Sequence, residues 1–244
     1  SDLRRQRQMC IRDSSFGVYM FELRFFEIYR SQEYLSLLLD GILVSTALTI
    51  FGGIFGFVIA FILAALIYWR VFGISFISTC YVDFIRNTPL IVQIFFITFG
   101  LPALFGYVWP FWCHALLALT INFSGYFAEI LRSGYESTPK GQIEAASALN
   151  LNKKIVFRKI ILPQTIIKMF PSLSSQFIFI FLTTGIISEI GVTDLTHAGL
   201  FIDSRIFRSF EIFIVLTFLY IIMSLVYKSC LEIIFKISLG KRAL

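Results

Sequence analysis

The chain has 244 residues, 57% hydrophobic and only 15% charged, with 29 Phe. Soluble domains run near 45–50% apolar and about 25% charged, so this composition, with a mean hydropathy of +0.82, excludes a disordered chain, an ordinary soluble enzyme and most nucleic-acid-binding modules. The formal net charge of +6 reads as basic residues flanking membrane spans on one side rather than as a nucleic-acid footprint, and no nucleic-acid partner is expected.

Residues 1–15, SDLRRQRQMCIRDSS, are polar, Arg-rich and free of Phe. They lack the apolar core of a signal peptide, and read as a non-native scar or, alternatively, a native basic arm. Residues 16–36, FGVYMFELRFFEIYRSQEYLS, read as an amphipathic segment at the outer membrane interface, its aromatic residues suited to the headgroup region.

The spans come from charge-free windows, since crossing about 30 Å of hydrocarbon takes about 20 apolar residues. Residues 41–69 form one long span, with Gly52, Gly53 and Gly56 as a face for close helix packing. Asp40 stands at its start and is expected to stay solvated. Residues 87–128 are too many for one helix, and Gly100-Leu101-Pro102 through Trp109-Pro110 breaks them into spans near 89–107 and 111–131. Residues 169–188 and 212–227 complete five, the last extended by a snorkelling Lys228. If the polar loop 132–168 is cytoplasmic, 13 of the 21 Lys and Arg lie on its side of the membrane. That is a positive-inside bias, with the N-terminus outside and the C-terminus cytoplasmic. The chain therefore reads as one all-α membrane domain over 37–240, with neither a linker nor an internal repeat.

Cys10, Cys80, Cys113 and Cys230 are scattered, without disulfide-framework or zinc-site spacing. With only His114 and His197 besides, neither a metal site nor a catalytic triad has much to build on. His197 is expected as an exposed polar residue of an outer loop.

The loop 132–163, RSGYESTPKGQIEAASALNLNKKIVFRKIILP, is the most informative region. Thr138-Pro139 suits a helix entry, with Thr138 as the N-cap. Gln142 to Leu149 suits a short helix, and Asn150 a left-handed stop. Asn152 would cap a second short helix ending near Leu162-Pro163. The small residues Ala145, Ala146 and Ala148 offer a flat surface for a partner's groove; the other reading is an interfacial helix with no partner.

Glu144-Ala145-Ala146, then Asn150, then Ile160-Ile161-Leu162-Pro163, resembles the EAA loop of ABC importer permeases, with Asn150 at the motif's Gly. Phe84-Ile85-Arg86-Asn87-Thr88-Pro89-Leu90-Ile91-Val92-Gln93 is similar to the F-x-R-G-T-P-L-x-V-Q of polar amino-acid permeases of the histidine/glutamine/arginine type. Tyr126-Phe127-Ala128-Glu129-Ile130-Leu131-Arg132, Pro139-Lys140-Gly141-Gln142 and Gly191-Val192-Thr193-Asp194-Leu195-Thr196 fit the same pattern in order. The likeness runs from about 35 to 240. It implies the type I ABC importer transmembrane domain, about five helices with a cytoplasmic EAA coupling loop. Its implied partners are ABC ATPase subunits, a second permease (identical or homologous), a periplasmic or extracytoplasmic solute-binding protein and the lipid bilayer.

The resemblance also implies that Glu144, Ala145, Ala146, Asn150 and Pro163 serve ATPase coupling. The chain has no GxxxxGK[ST] phosphate loop. ATP-Mg is therefore expected on the partner ATPase, no cofactor on this chain, and no enzymatic activity of its own. For Glu144 the other reading is a local salt bridge with Lys140 or Lys153. Candidate pathway residues are Asn122, Glu129, Thr183 and Thr184. Asn122, mid-span, must find a partner or line the pathway. Glu129 pairs with Arg132 at i, i+3 or contacts substrate. Thr183 and Thr184 offer hydroxyls to substrate or bond back within their helix. Many relatives carry Lys-Asp-Thr-Ser where this chain has Leu182-Thr183-Thr184-Gly185. That removes a pathway carboxylate and leaves the amino acid carried open. The competing function is a stand-alone channel or secondary carrier, which would have no use for an ATPase-docking loop.

Overall fold

The computed structural model describes residues 24–239; the expectations on residues 1–15 and on 16–23 lie outside the described residues. Everything regular among the described residues is helical. We number the helices α1 (Phe26–Arg30), α2 (Gln32–Tyr68), α3 (Ile74–Arg86), α4 (Leu90–Phe105), α5 (Phe111–Glu136), α6 (Lys140–Ala148), α7 (Lys153–Ile190), α8 (Leu195–Ile206) and α9 (Ser209–Leu239). Helices α2, α5, α7 and α9 are each long and apolar enough to cross a membrane, and α3 with α4 passes the same test only as a bent pair, a broken span or a re-entrant loop.

Ser31 leaves helical geometry and its hydroxyl accepts the amide N–H of Tyr34, which opens α2 at Gln32. The segment 32–36, expected at the interface, is thus the first turn and more of α2. At 37 residues the helix is about 55 Å long, well beyond the hydrocarbon thickness. Asp40 is exposed but lies two turns inside the helix rather than at its start.

The buried face of α2 is a seam of small residues, Gly41, Ser45, Thr49, Gly52, Gly53, Gly56, Ala60 and Ala64. That is the close-packing face expected of Gly52, Gly53 and Gly56. At Gly56 a methyl group would sit 3.2 Å from the carbonyl oxygen of Thr120 on α5. Without hydrophobic drive between helices in lipid, such backbone-to-backbone approach is what holds two spans together. The opposite face of α2 exposes Leu39, Leu43, Phe51, Ile54, Phe55 and Ile62, all apolar and suited to lipid.

The bent pair differs most from expectation. The chain turns by 105° between α3 and α4, at Asn87-Thr88-Pro89. Pro89 cannot donate an N–H and disfavours helix before it. The side chains of Asn87 and Thr88 donate to the carbonyls of Asp83 and Phe84, each at 2.8 Å, and close the end of α3. A charge-free window missed α3 because Asp83 and Arg86 sit on its exposed side near the corner.

One core gathers α2, α3, α4, α5 and α7 around Leu119, Phe123, Phe127 and Leu131 of α5. A second, smaller core joins α1, the start of α2, α8 and α9 through Ile28, Leu38, Leu195, Ile202 and Ile212. Asp194 caps α8, accepting the amide N–H groups of Thr196 and His197 at 3.3 and 2.9 Å. His197 is therefore half-buried in a first helical turn, not an exposed loop residue as expected.

Candidate functional site

The loop between α5 and α7 builds its geometry from a few local rules. Helix α6 begins at Lys140 after Pro139, with no side-chain cap, so Thr138 is not the cap expected of it. Thr138 is instead buried. The helix ends in a left-handed residue, Asn150, at φ +51°. The amide of Asn150 donates to the carbonyl of Ser147 at 2.9 Å and that of Leu151 to the carbonyl of Ala146 at 3.0 Å. These two bonds satisfy carbonyls that the helix end would otherwise orphan. Asn150 thus does at this position what a glycine would.

Asn152 then caps the next helix, its Oδ1 accepting the amide of Lys154 at 2.9 Å. The expected second short helix does not stop at Leu162-Pro163. It runs through a wider turn at Phe157–Ile161 straight into the membrane span, so α7 is continuous from Lys153 to Ile190. Pro163 is tolerated because it falls just after that wider turn.

The faces of α6 separate its residues. Ala146 is 2% exposed and points into the bundle, whereas Glu144, Ala145 and Ala148 are exposed. The flat outer surface is therefore Glu144, Ala145 and Ala148 rather than the whole Ala145-Ala146 pair, because successive helical residues diverge by about 100°. Glu144 makes no salt bridge with Lys140 or Lys153, nor with any other described residue.

The inner side of the loop is bound to the spans. Gln164 of α7 donates to the side-chain oxygen of Gln142 at 2.8 Å. Phe157 packs its ring against Tyr135 at 5.1 Å and Trp69 at 5.0 Å, and Tyr68 lies 5.7 Å from Tyr135. These rings tie the start of α7 to the ends of α2 and α5, with Tyr135 fully buried among them.

At the same end, Arg132 grips Glu129 with two bonds, Nη2 to Oε1 at 2.6 Å and Nε to Oε2 at 3.0 Å, and reaches Glu136 at 2.9 Å. Arg86, at the end of α3, adds a contact to Glu129 Oε2 at 3.5 Å. The carboxylate of Glu129 is thus engaged by two guanidinium groups and links α3 to α5.

The other pathway candidates also have partners within the protein. Asn122 is 3% exposed and its Nδ2 donates to Gln93 Oε1 at 3.0 Å. Thr183 bonds back to the carbonyls of Phe179 and Ile180, and Thr184 to that of Phe181. None of the four lines the cavities of 420, 480 and 550 Å³ that the described residues form. The cavity of 420 Å³ lies beside Leu182, lined by the hydroxyl-bearing Thr196, Thr217, Tyr220 and Ser224. The hydroxyls of Tyr220 and Thr196 are 2.8 Å apart. Sequence reading missed this set, although Thr217, Tyr220, Ser224 and Tyr227 recur at helical spacing through an apolar span, which is its signal.

The matches with known proteins put this helical bundle, with its bent α3–α4 pair and its loop helix α6, in the class of importer permeases. Residues 56–236 match the family described as binding-protein-dependent transport system inner membrane component, and the chain belongs to that family. The octopine transport system permease protein OccM of Rhizobium radiobacter is 34% identical over 78% of this chain and 80% of its own. The probable glutamine ABC transporter permease protein GlnP of Bacillus subtilis is 36% identical over 72% of this chain and 80% of its own. A crystal structure of an amino acid ABC transporter with histidines aligns at a TM-score of 0.80 and 30% identity, over 88% of this chain and 98% of that one. The inward-facing MetNI methionine ABC transporter, at 19% identity and a TM-score of 0.72, shares the fold. The chain is a multi-pass membrane transport subunit with the type I ABC importer permease fold.

Proposed function

We propose that this chain is the permease subunit of an ATP-binding-cassette importer for polar amino acids in the bacterial cytoplasmic membrane. The α6 end faces the cytoplasm, the N-terminus lies outside and the C-terminus inside. ATP-Mg is bound and hydrolysed by separate ATPase subunits, and a solute-binding protein delivers substrate to the outer face. The observation that carries this reading is the outward face of α6. Glu144 stands exposed, without a salt-bridge partner among the described residues, beside Ala145 and Ala148, on a helix whose other face is anchored through Ala146 and Gln142.

Such a face offers a carboxylate for a charge-assisted bond and lets another backbone come close. Closure of the ATPases would pull α6, and the Tyr68, Trp69, Tyr135 and Phe157 rings would pass the movement to α2, α5 and α7 as one body. Helix α7 exposes Lys168, Ser172, Ser175, Phe179 and Leu182 at intervals of three and four residues, with Glu189 seven residues further on. The polar members of this stripe, Lys168, Ser172, Ser175 and Glu189, are costly against lipid. We place a second permease and the transport pathway along it, beside the helix that carries Thr183 and Thr184. Asn122 and Glu129 hold the pathway's walls rather than the substrate.

The test is uptake in proteoliposomes containing the permease, its ATPase and its binding protein. Glu144→Lys and Ala145→Asp should abolish uptake while membrane insertion stays normal. Undiminished transport by either variant overturns the coupling reading.

A further inference from the structure

A groove of 480 Å³ opens between the end of α2, the inner flank of α6 and the first turns of α7. Its walls are Tyr68, Trp69, Ile143 and Phe157, and Lys153 and Lys154 stand along it. Trp69 is 46% exposed at the end of a membrane span, the depth at which aromatic residues meet lipid headgroups.

The two lysines are out of keeping with their position. They occupy the first turn of a long helix, where the helix dipole favours negative charge. Both are exposed, and neither has an acidic partner among the described residues. A paired cation cluster beside an apolar aromatic wall at a membrane face matches an anionic headgroup joined to an apolar body. Glu144 and Ala145 are on the other flank of α6, so an occupant of the groove leaves the ATPase-facing surface free.

We propose that this groove binds one anionic phospholipid from the adjacent leaflet, its phosphate held by Lys153 and Lys154 and its glycerol and upper chains against Trp69, Ile143 and Phe157. The lipid touches α6, α2 and α7 together and so braces the link between loop and bundle. The proposal rests on the loop lying at a membrane face, as in the proposed function, and is independent of the amino acid carried.

Native mass spectrometry of the purified transporter tests it, with phosphatidylglycerol and phosphatidylcholine of equal chain length as probes. Wild type should retain phosphatidylglycerol preferentially. Lys153→Gln/Lys154→Gln should lose that preference by about tenfold, following the known attraction of lysines for anionic lipid. Lys153→Arg/Lys154→Arg should keep it. The control is Arg158→Gln/Lys159→Gln, which removes the same charge from exposed residues of α7 that do not line the groove, and it should leave the preference unchanged. Equal losses in the two charge-removing variants, or no preference in wild type, overturn the site. So does crosslinking that places an acidic segment of the ATPase in the groove. Uptake measured on the same preparations separates the two ideas: normal uptake without lipid selectivity defeats the lipid site alone, and selectivity without uptake defeats the transport reading alone.

Discussion

Gln93 and Asn122 form a buried amide pair, with Asn122 Nδ2 donating to Gln93 Oε1 at 3.0 Å across the α4–α5 contact. The other end of Gln93 donates to the carbonyls of Ile85 and Thr88, at 2.9 and 3.2 Å, at the corner between α3 and α4, where the Ile85 carbonyl also accepts the Thr88 amide at 3.4 Å. One side chain thus serves both the bend and the packing of the bent pair on α5.

Gln93→Leu should therefore cost more than Asn122→Ala. Losing Asn122 leaves one acceptor unpaired, about 1 kcal/mol on the scale of polar contacts between spans. Losing Gln93 strands the Thr88 carbonyl and the Asn122 amide and leaves the Ile85 carbonyl only its long bond from the Thr88 amide, about 2–3 kcal/mol. Thermal melts of the two variants and their double mutant in detergent check the order, and near-additive costs would contradict the pairing.

Gly56 lies where α2 and α5 meet backbone to backbone, and a methyl placed there meets the Thr120 carbonyl oxygen at 3.2 Å. Gly56→Val should destabilise by about 1–3 kcal/mol, since neither main chain can give way. Gly141→Ala, where a methyl meets nothing within 4 Å, should instead stabilise α6 by about 0.5–1 kcal/mol. Melting temperatures of the two variants should move in opposite directions.

Asp194 is fully buried at the start of α8, outside the spanning helices, and burial pushes its carboxyl up to about 6 from 3.8, against the pull of the His197 and Thr196 amides. The folded state then holds a proton that the unfolded state has already lost between these values. Stability attributable to this group is present below about pH 4 and lost as pH rises through about 6, by about 3 kcal/mol. Asp194→Asn keeps a good N-cap and should flatten that slope. A slope unchanged in the variant would show that another group sets it.

Asn150 holds φ at +51° to end α6. Asn150→Gly should match or slightly exceed wild type in stability and uptake. Asn150→Val should lose about 1–2 kcal/mol and misdirect the loop. Uptake together with proteolysis of the loop is the readout, and full activity with Val at 150 would mean that the left-handed stop is dispensable.

The features legible in the sequence are those encoded within a few residues. Charge-free windows located the four long spans and the α4 arm of the bent pair, because burying a charge in hydrocarbon costs the same wherever the helix sits. The stop at Asn150, the cap at Asn152 and the glycine face of α2 followed from backbone chemistry that needs no distant partner. What only tertiary structure decided depends on contacts far apart in the chain. The partner of Asn122 is 29 residues away, and no periodicity points to it. Which alanine of α6 faces inward depends on where the helix docks, and buries Ala146 while leaving Ala145 outside. The bend at Asn87-Thr88-Pro89 is announced by its proline, but its 105° angle and the membership of α3 in the bundle come from Gln93 and from the packing on α5. Local chemistry names the elements; burial of one element against another sets their directions, and that energy exists only once the chain has folded.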